Sequence, residues 1–225
     1  NSSSGGGSGG DIAPLARVAY VAKNGADQAS SDGSIAKPYL TIPYALTRIT
    51  DNDLPVRWDI RLAPGNYAEN FDLKPWVWIV GDDPLTTRIS APSIGLDPEW
   101  SFNGPVLGAP PPGFLTPDDW PVAPAAPSSD HRAGFHGVNL AGGPYIFDFN
   151  AVQSNEGKLT FDNVRFNQKP TFRAYSAINQ VSLQNSYLFA GYQQEGISMS
   201  LLGTSFQNGG SIDLISINDG RNLPT

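Results

Sequence analysis

Two adjacent carboxylate pairs, Asp82–Asp83 and Asp118–Asp119, are the residues of this sequence best suited to acid–base work. Hydrolysis of a glycosidic bond needs one carboxyl group to protonate the leaving oxygen and a second to activate water or attack the sugar. Asp82 directly follows Gly81 at the end of a strand-like run, where Asp commonly forms turns, and Asp118–Asp119 falls in a Pro-rich stretch. Turn formation is therefore the competing role for both pairs. His131 and His136 lie on either side of Arg132, with Asp130 alongside. A zinc site needs three or four converging ligands, so loop and turn roles are expected for both histidines, and no metal or cofactor is expected.

The aromatic residues suggest binding rather than turnover. Trp76 and Trp78 alternate along one run and are expected to share a strand face in a structural role. Trp100, Phe114 and Trp120 sit in the Pro-rich stretch and are the candidate binding residues. Exposed, such rings stack on sugars or anchor a protein partner; buried, they would staple the stretch to the core.

Composition bounds the elements that must position these groups. The chain has 225 residues, with 24 glycines, 20 prolines and no cysteine. Frequent turns are thus expected, and packing and hydrogen bonds must hold the fold without disulfides. The formal charge is −7 and no block of Lys or Arg occurs. A nucleic-acid groove needs clustered cations, so nucleic acid is not an expected partner. No apolar run approaches the roughly 20 residues that span a bilayer, so membrane insertion is not expected.

Residues 1–16 open with NSSSGGGSGG and are expected to be a flexible Gly/Ser linker, either an expression scar or a natural tether. Residues 17–225 are expected to form one domain. Strand signals start at Arg17, with Ala19 and Val21 alternating against Val18 and Tyr20. In TIPYALTRIT, Thr41 is a plausible N-cap, Pro43 stands early, and Ile42, Ala45, Leu46 and Ile49 fall on one helical face. A one-sided helix over 42–49 suits a lid on a larger core. VRWDIRLAP, AENFDL, KPWVWIVGDD and TTRIS then read as strands, with GNY as a turn and Leu85 continuing the alternation of Val77 and Ile79. Residues 91–130 hold ten of the twenty prolines, so an irregular excursion over about 91–134 is expected.

A repeat follows. FHGVNL (135–140), FDNVRF (161–166), LQNSYL (183–188) and LLGTSF (201–206) each begin with Phe or Leu, carry Gly or Asn third, and end with Phe or Leu sixth. Starts spaced at about 22 residues describe the coil of a β-solenoid. Its apolar residues point inward and stack on the next coil, and Gly or Asn takes a left-handed corner between two short strands.

VAYVAKNGADQASSDGSIAKPYLTIPYAL also resembles the opening of pectin-lyase-like right-handed parallel β-helix proteins, where such a segment leads into a capping helix. RLAPGNYAENFDLKPWVWIVGDD resembles their first coils, so the resemblance covers residues 18–90. It implies an all-β right-handed parallel β-helix with a short N-terminal capping helix. That group contains pectate and pectin lyases, polygalacturonases and alginate epimerases. It also contains tailspikes and non-catalytic proteins of phage and large-virus particles.

A pectate-lyase site requires acidic residues that hold calcium and an Arg or Lys base, aligned on one face of successive coils. Here Asp162, Asn163 and Arg165 face Gln184 and Asn185, then Leu202 and Gly203, which is no carboxylate ladder. The expected function is therefore a non-enzymatic structural or attachment protein of a virus or phage particle, at the virion surface or outside the cell. Its expected partners are other particle proteins or a host-surface glycan, with a homo-trimer by analogy. A lyase or hydrolase acting on acidic glycans, or a carbohydrate-binding module, are the alternatives.

Overall fold

The computed structural model describes residues 17–52, 57–100, 131–149, 157–174, 179–195, 197–206 and 211–215. Every paired strand is parallel to its neighbours, and the chain coils as a right-handed β-helix. The first sheet stacks seven strands, β1 (Arg17–Val21), β2 (Trp58–Leu62), β5 (Val77–Gly81), β8 (Arg132–His136), β11 (Lys158–Asp162), β14 (Gln180–Gln184) and β17 (Ser198–Leu202). The second stacks six, β3 (Gly65–Tyr67), β6 (Thr87–Ile89), β9 (Asn139–Leu140), β12 (Arg165–Phe166), β15 (Tyr187–Leu188) and β18 (Ser205–Phe206). The third side pairs β4 (Phe71–Leu73) with β7 (Ile94–Leu96), and orders β10 (Ile146–Asp148), β13 (Thr171–Arg173), β16 (Gly191–Glu195) and β19 (Ser211–Ile215).

The hexapeptide repeat is the corner of each coil. Its first residue lies in one ladder, Ala19, Ile60, Ile79, Phe135, Phe161, Leu183 and Leu201, buried as far as Leu183, whereas Leu201 in the last coil of the sheet is 41% exposed and does not belong to the core. Its sixth lies in a second ladder, Tyr67, Ile89, Leu140, Phe166, Leu188 and Phe206. The third residue turns the chain between them at φ of +62° (Gly137), +52° (Asn163), +47° (Asn185) and +62° (Gly203). Only Gly, and Asn among common side chains, reaches that region at low cost. The corner N–H of Asn163 donates to Gln184 O (3.0 Å) and that of Asn185 to Leu202 O (2.8 Å), which ties each corner to the next coil.

Inside, aromatic rings stack between coils. Phe135 lies parallel to Phe161 at 5.4 Å, and Phe147 to Phe172 at 5.6 Å. Phe161 also meets Phe147 edge-on at 5.3 Å and Phe166 at 5.2 Å. Buried hydroxyls point at carbonyls: Tyr67 donates to Ala63 O (2.8 Å) and Val21 O (3.1 Å). Burial pushes the Tyr67 and Tyr145 hydroxyls up to about 12, so both remain donors at any ordinary pH.

The helix α1 (Ile42–Arg48) forms as its sequence predicts. Thr41 caps it, Pro43 stands in its first turn, and Ile42, Ala45, Leu46 and Ile49 are buried. It packs on β1 and β4 at the N-terminal end of the stack. Asp27 holds its start, accepting from Leu40 N–H (2.8 Å), Thr41 N–H (3.2 Å) and the Thr41 hydroxyl (2.5 Å). Lys74 donates to Ile49 O (3.0 Å) just past its end.

Several expectations need correction. GNY is a strand rather than a turn, because Asn66 and Tyr67 pair with Arg88 and Ile89. Leu85 is 75% exposed, since the five-residue turn after Gly81 breaks the alternation. Trp76 has φ of +61° and precedes β5, so it does not share a strand face with Trp78. Both ends of the segment expected to be irregular are regular: β7, a 3-10 turn over Pro98–Trp100, and β8. Residues 101–130 of that segment, and the linker at 1–16, lie outside the described residues.

Candidate functional site on the outer face of the seven-stranded sheet

Parallel in-register pairing turns a strand's outward positions into rows that run along the solenoid. The central outer row of the seven-stranded sheet reads Val18, Asp59, Trp78, Gly134, Thr160, Ser182 and Ser200. Beside it runs a second row, Tyr20, Arg61, Val80, His136, Asp162, Gln184 and Leu202. Over the late coils a depression of about 140 Å³ is lined by the polar Lys158, Thr160, Gln180, Ser182, Ser198 and Ser200 together with Leu159, Val181 and Met199.

Trp78 stands two strands from Thr160 in the same row, with Gly134 between them, and its position is tightly set. A Cβ at Gly134 would collide first with the Thr160 carbonyl of the next coil and would also fall 2.9 Å from Trp78 Nε1, so the absent side chain admits both. The Arg57 guanidinium stands 4.3 Å from the ring centre, and its Nε donates to Asp59 Oδ1 at 2.7 Å. Asp59 is buried, so this half-exposed Arg is anchored from below and holds the indole from one side. The result is a half-buried aromatic surface next to a strip of hydroxyl, amide and ammonium groups. Such a strip can hydrogen-bond sugar hydroxyls while the ring supports a sugar face.

The sheet also assembles a pair that sequence reasoning missed. His136 Nδ1 lies 3.0 Å from Asp162 Oδ2, and Asn185 Nδ2 donates to Asp162 Oδ1 at 3.1 Å. The carboxylate orients the imidazole and directs Nε2 away from it, an arrangement capable of proton transfer. The signal was in the repeat: His136 and Asp162 both stand second in their hexapeptides, and equal places in successive coils are opposite one another.

The other expected site residues are dispersed. Asp82 and Asp83 are exposed in the turn after β5, where Asp83 Oδ1 accepts from Leu85 N–H (2.6 Å) and Asp83 O from Thr87 N–H (2.8 Å). His131 Nδ1 meets Trp100 O at 3.1 Å. Trp100 is fully buried, with Nε1 donating to Leu73 O (2.5 Å) and its ring edge-on to Phe149 at 5.7 Å. It therefore staples the chain to the core and has no face left for a ligand, which corrects its place among the binding candidates. Burial pushes the nearby Asp97 carboxyl up. Asp148 faces outward between buried Phe147 and Phe149. Phe114, Asp118, Asp119 and Trp120 lie outside the described residues. Among the described residues no three His, Asp or Glu side chains converge on a point that could hold a metal ion.

The fold thus defines a right-handed parallel β-helix with a polar outer face. No model of a protein family matches the chain, and no curated protein matches it. Among solved structures it is similar to pectin methylesterase PemA from Erwinia chrysanthemi, with 15% identity and a TM-score of 0.40. The match covers 80% of this chain and 54% of that protein, so the chain spans about half of its length.

Proposed function

We propose that this chain is a non-enzymatic attachment or structural protein of a virus or phage particle, holding a host-surface glycan on the outer face of its seven-stranded sheet. The observation that carries the proposal is the make-up of the central row over coils five to seven. Thr160, Ser182 and Ser200 set hydroxyls, with no carboxylate among them, at three aligned outward positions, whereas a calcium-dependent lyase holds its metal through aligned carboxylates. Hydroxyls in a shallow depression suit reversible sugar binding better than bond cleavage. The particle setting rests on the resemblance of residues 18–90 to a group that includes such proteins.

The second reading, a glycan-cleaving enzyme, is favoured by the oriented His136–Asp162 pair on the same face. Binding separates the site from the bare fold. Wild-type protein is expected to bind at least one oligosaccharide on an array of neutral and acidic glycans. Trp78→Ala should weaken that binding by about 1–2 kcal/mol, roughly tenfold, with the melting curve little changed. Binding that survives the substitution undiminished, or no binding to any glycan, would remove this face as the contact surface.

A further inference from the structure

The two ends of the solenoid are finished differently. At the N-terminal end α1 packs on β1 and β4, and residues 33–39 cover the edge of β1, with Tyr20 N–H donating to Gly33 O (2.7 Å) and Tyr39 N–H to Tyr20 O (2.9 Å). At the other end β17 and β18 are the last strands of their sheets, and among the described residues no strand pairs with their outer edges. The inward rungs there lack a coil above them. Leu201 is 41% exposed and Phe206 38%, although Leu183 and Leu188 one coil below are fully buried. Leu202, on the outward side, is 65% exposed. Charges and proline are the devices that ordinarily keep an edge strand from pairing, and residues 196–212 contain neither, in a chain of net charge −7.

The backbone of this edge is also committed in a definite pattern. Ser198 N–H donates to Asn179 O (3.1 Å) and Leu202 O accepts from Asn185 N–H (2.8 Å), so Ser198, Ser200 and Leu202 turn their backbone groups to β14. Strand alternation then directs the N–H and C=O groups of Met199 and Leu201 to the free edge. A second copy of the same strand satisfies them. Laid antiparallel about a two-fold axis at Ser200, Met199 of each copy stands opposite Leu201 of the other, and each such pair exchanges both of its hydrogen bonds. Faces are kept as well. Met199 and Leu201 belong to inward rows in both copies, so every open apolar rung meets another across the junction. Two acidic chains meet there at uncharged ends.

We propose that this end is a self-association surface, through which two copies join tail to tail as a closed two-fold dimer with their β17 strands paired antiparallel. Head-to-tail stacking has no matching surface, because the N-terminal end is covered. The interface is separate from the Trp78 face and does not depend on it. Sedimentation velocity from micromolar to hundreds of micromolar protein tests it. Wild type should pass from the 24.0 kDa of one chain to twice that mass as concentration rises. L201K should weaken association about tenfold or more, because two ammonium groups must leave water at an uncharged junction. L85K, at a residue 75% exposed in the turn after β5, should leave it unchanged. Amide exchange in the wild type reports on the edge itself, even if L201K disturbs the last coil. Met199 and Leu201 N–H should gain protection with concentration, whereas Ser200 N–H should be protected throughout. A one-chain mass at every concentration, a three-chain or ever-growing mass, or association indifferent to L201K overturns the proposal. So does protection of Met199 and Leu201 at all concentrations, which would mean that the chain's own residues cover the edge.

Discussion

Phe161→Ala is expected to cost about 3–5 kcal/mol, the range for deleting a large aromatic side chain from a close-packed core. The ring is fully buried and meets Phe135, Phe147, Phe166 and Phe172, so four neighbours lose a packing partner together. Those neighbours belong to two adjacent coils and all three sides of the solenoid, and no single strand can shift to fill the space. Against a typical domain stability of about 5–15 kcal/mol, the loss is roughly a fifth or more of the total. Denaturant titration should show a lower midpoint with an unchanged slope. Phe161→Leu, which keeps most of the volume, should cost only about 1 kcal/mol. A loss below about 1 kcal/mol for Phe161→Ala would mean that the aromatic stack is not the centre of the core.

Leu46→Asp should remove the cap. Leu46 is 4% exposed on the buried face of the helix, between Ile42 and Ile49. A carboxylate there must either be desolvated without a partner or pull the helix away from β1 and β4. Undocking exposes the apolar end of the stack and loosens residues 33–39, which cover the outer edge of β1 through Tyr20 N–H to Gly33 O (2.7 Å) and Tyr39 N–H to Tyr20 O (2.9 Å). The expected result is a melting temperature lower by about 10 °C, from roughly 3–4 kcal/mol in a domain of this size, together with self-association on light scattering. A variant with the size and melting temperature of wild type would show that the helix is ornamental to the fold.

How much was legible in the sequence follows from which interactions are local. Thr41, Pro43 and the apolar face of 42–49 act within one helix, and their types predicted it. The corner residues Gly137, Asn163, Asn185 and Gly203 must bend the chain at a fixed place, so they recur and reveal the coil. The first coils hid their repeat because the turn after β5 is longer than the later two-residue corners, as Asp82, Asp83 and the exposed Leu85 show. Asp27 could not be read as the anchor of a helix fourteen residues on, because only the folded loop brings it to Thr41. For Trp100 the sequence left exposed binding and buried stapling open, because burial against Leu73 and Phe149 depends on coils remote in sequence. The candidate site is a product of register. Trp78 over Gly134 and His136 beside Asp162 exist only once the coils are stacked.

Turnover assays on the glycan substrates of the enzymatic alternative test the central claim most directly. Purified protein should be incubated with pectate, polygalacturonate and alginate, with and without calcium, and products followed by unsaturated-uronate absorbance and reducing-end release. The account predicts no product in any arm, while the same preparation binds glycan on the array in a Trp78-dependent way. Cleavage of any of these polymers, abolished by Asp162→Asn or His136→Ala in variants of unchanged melting temperature, would contradict it and make the oriented His136–Asp162 pair a catalytic one.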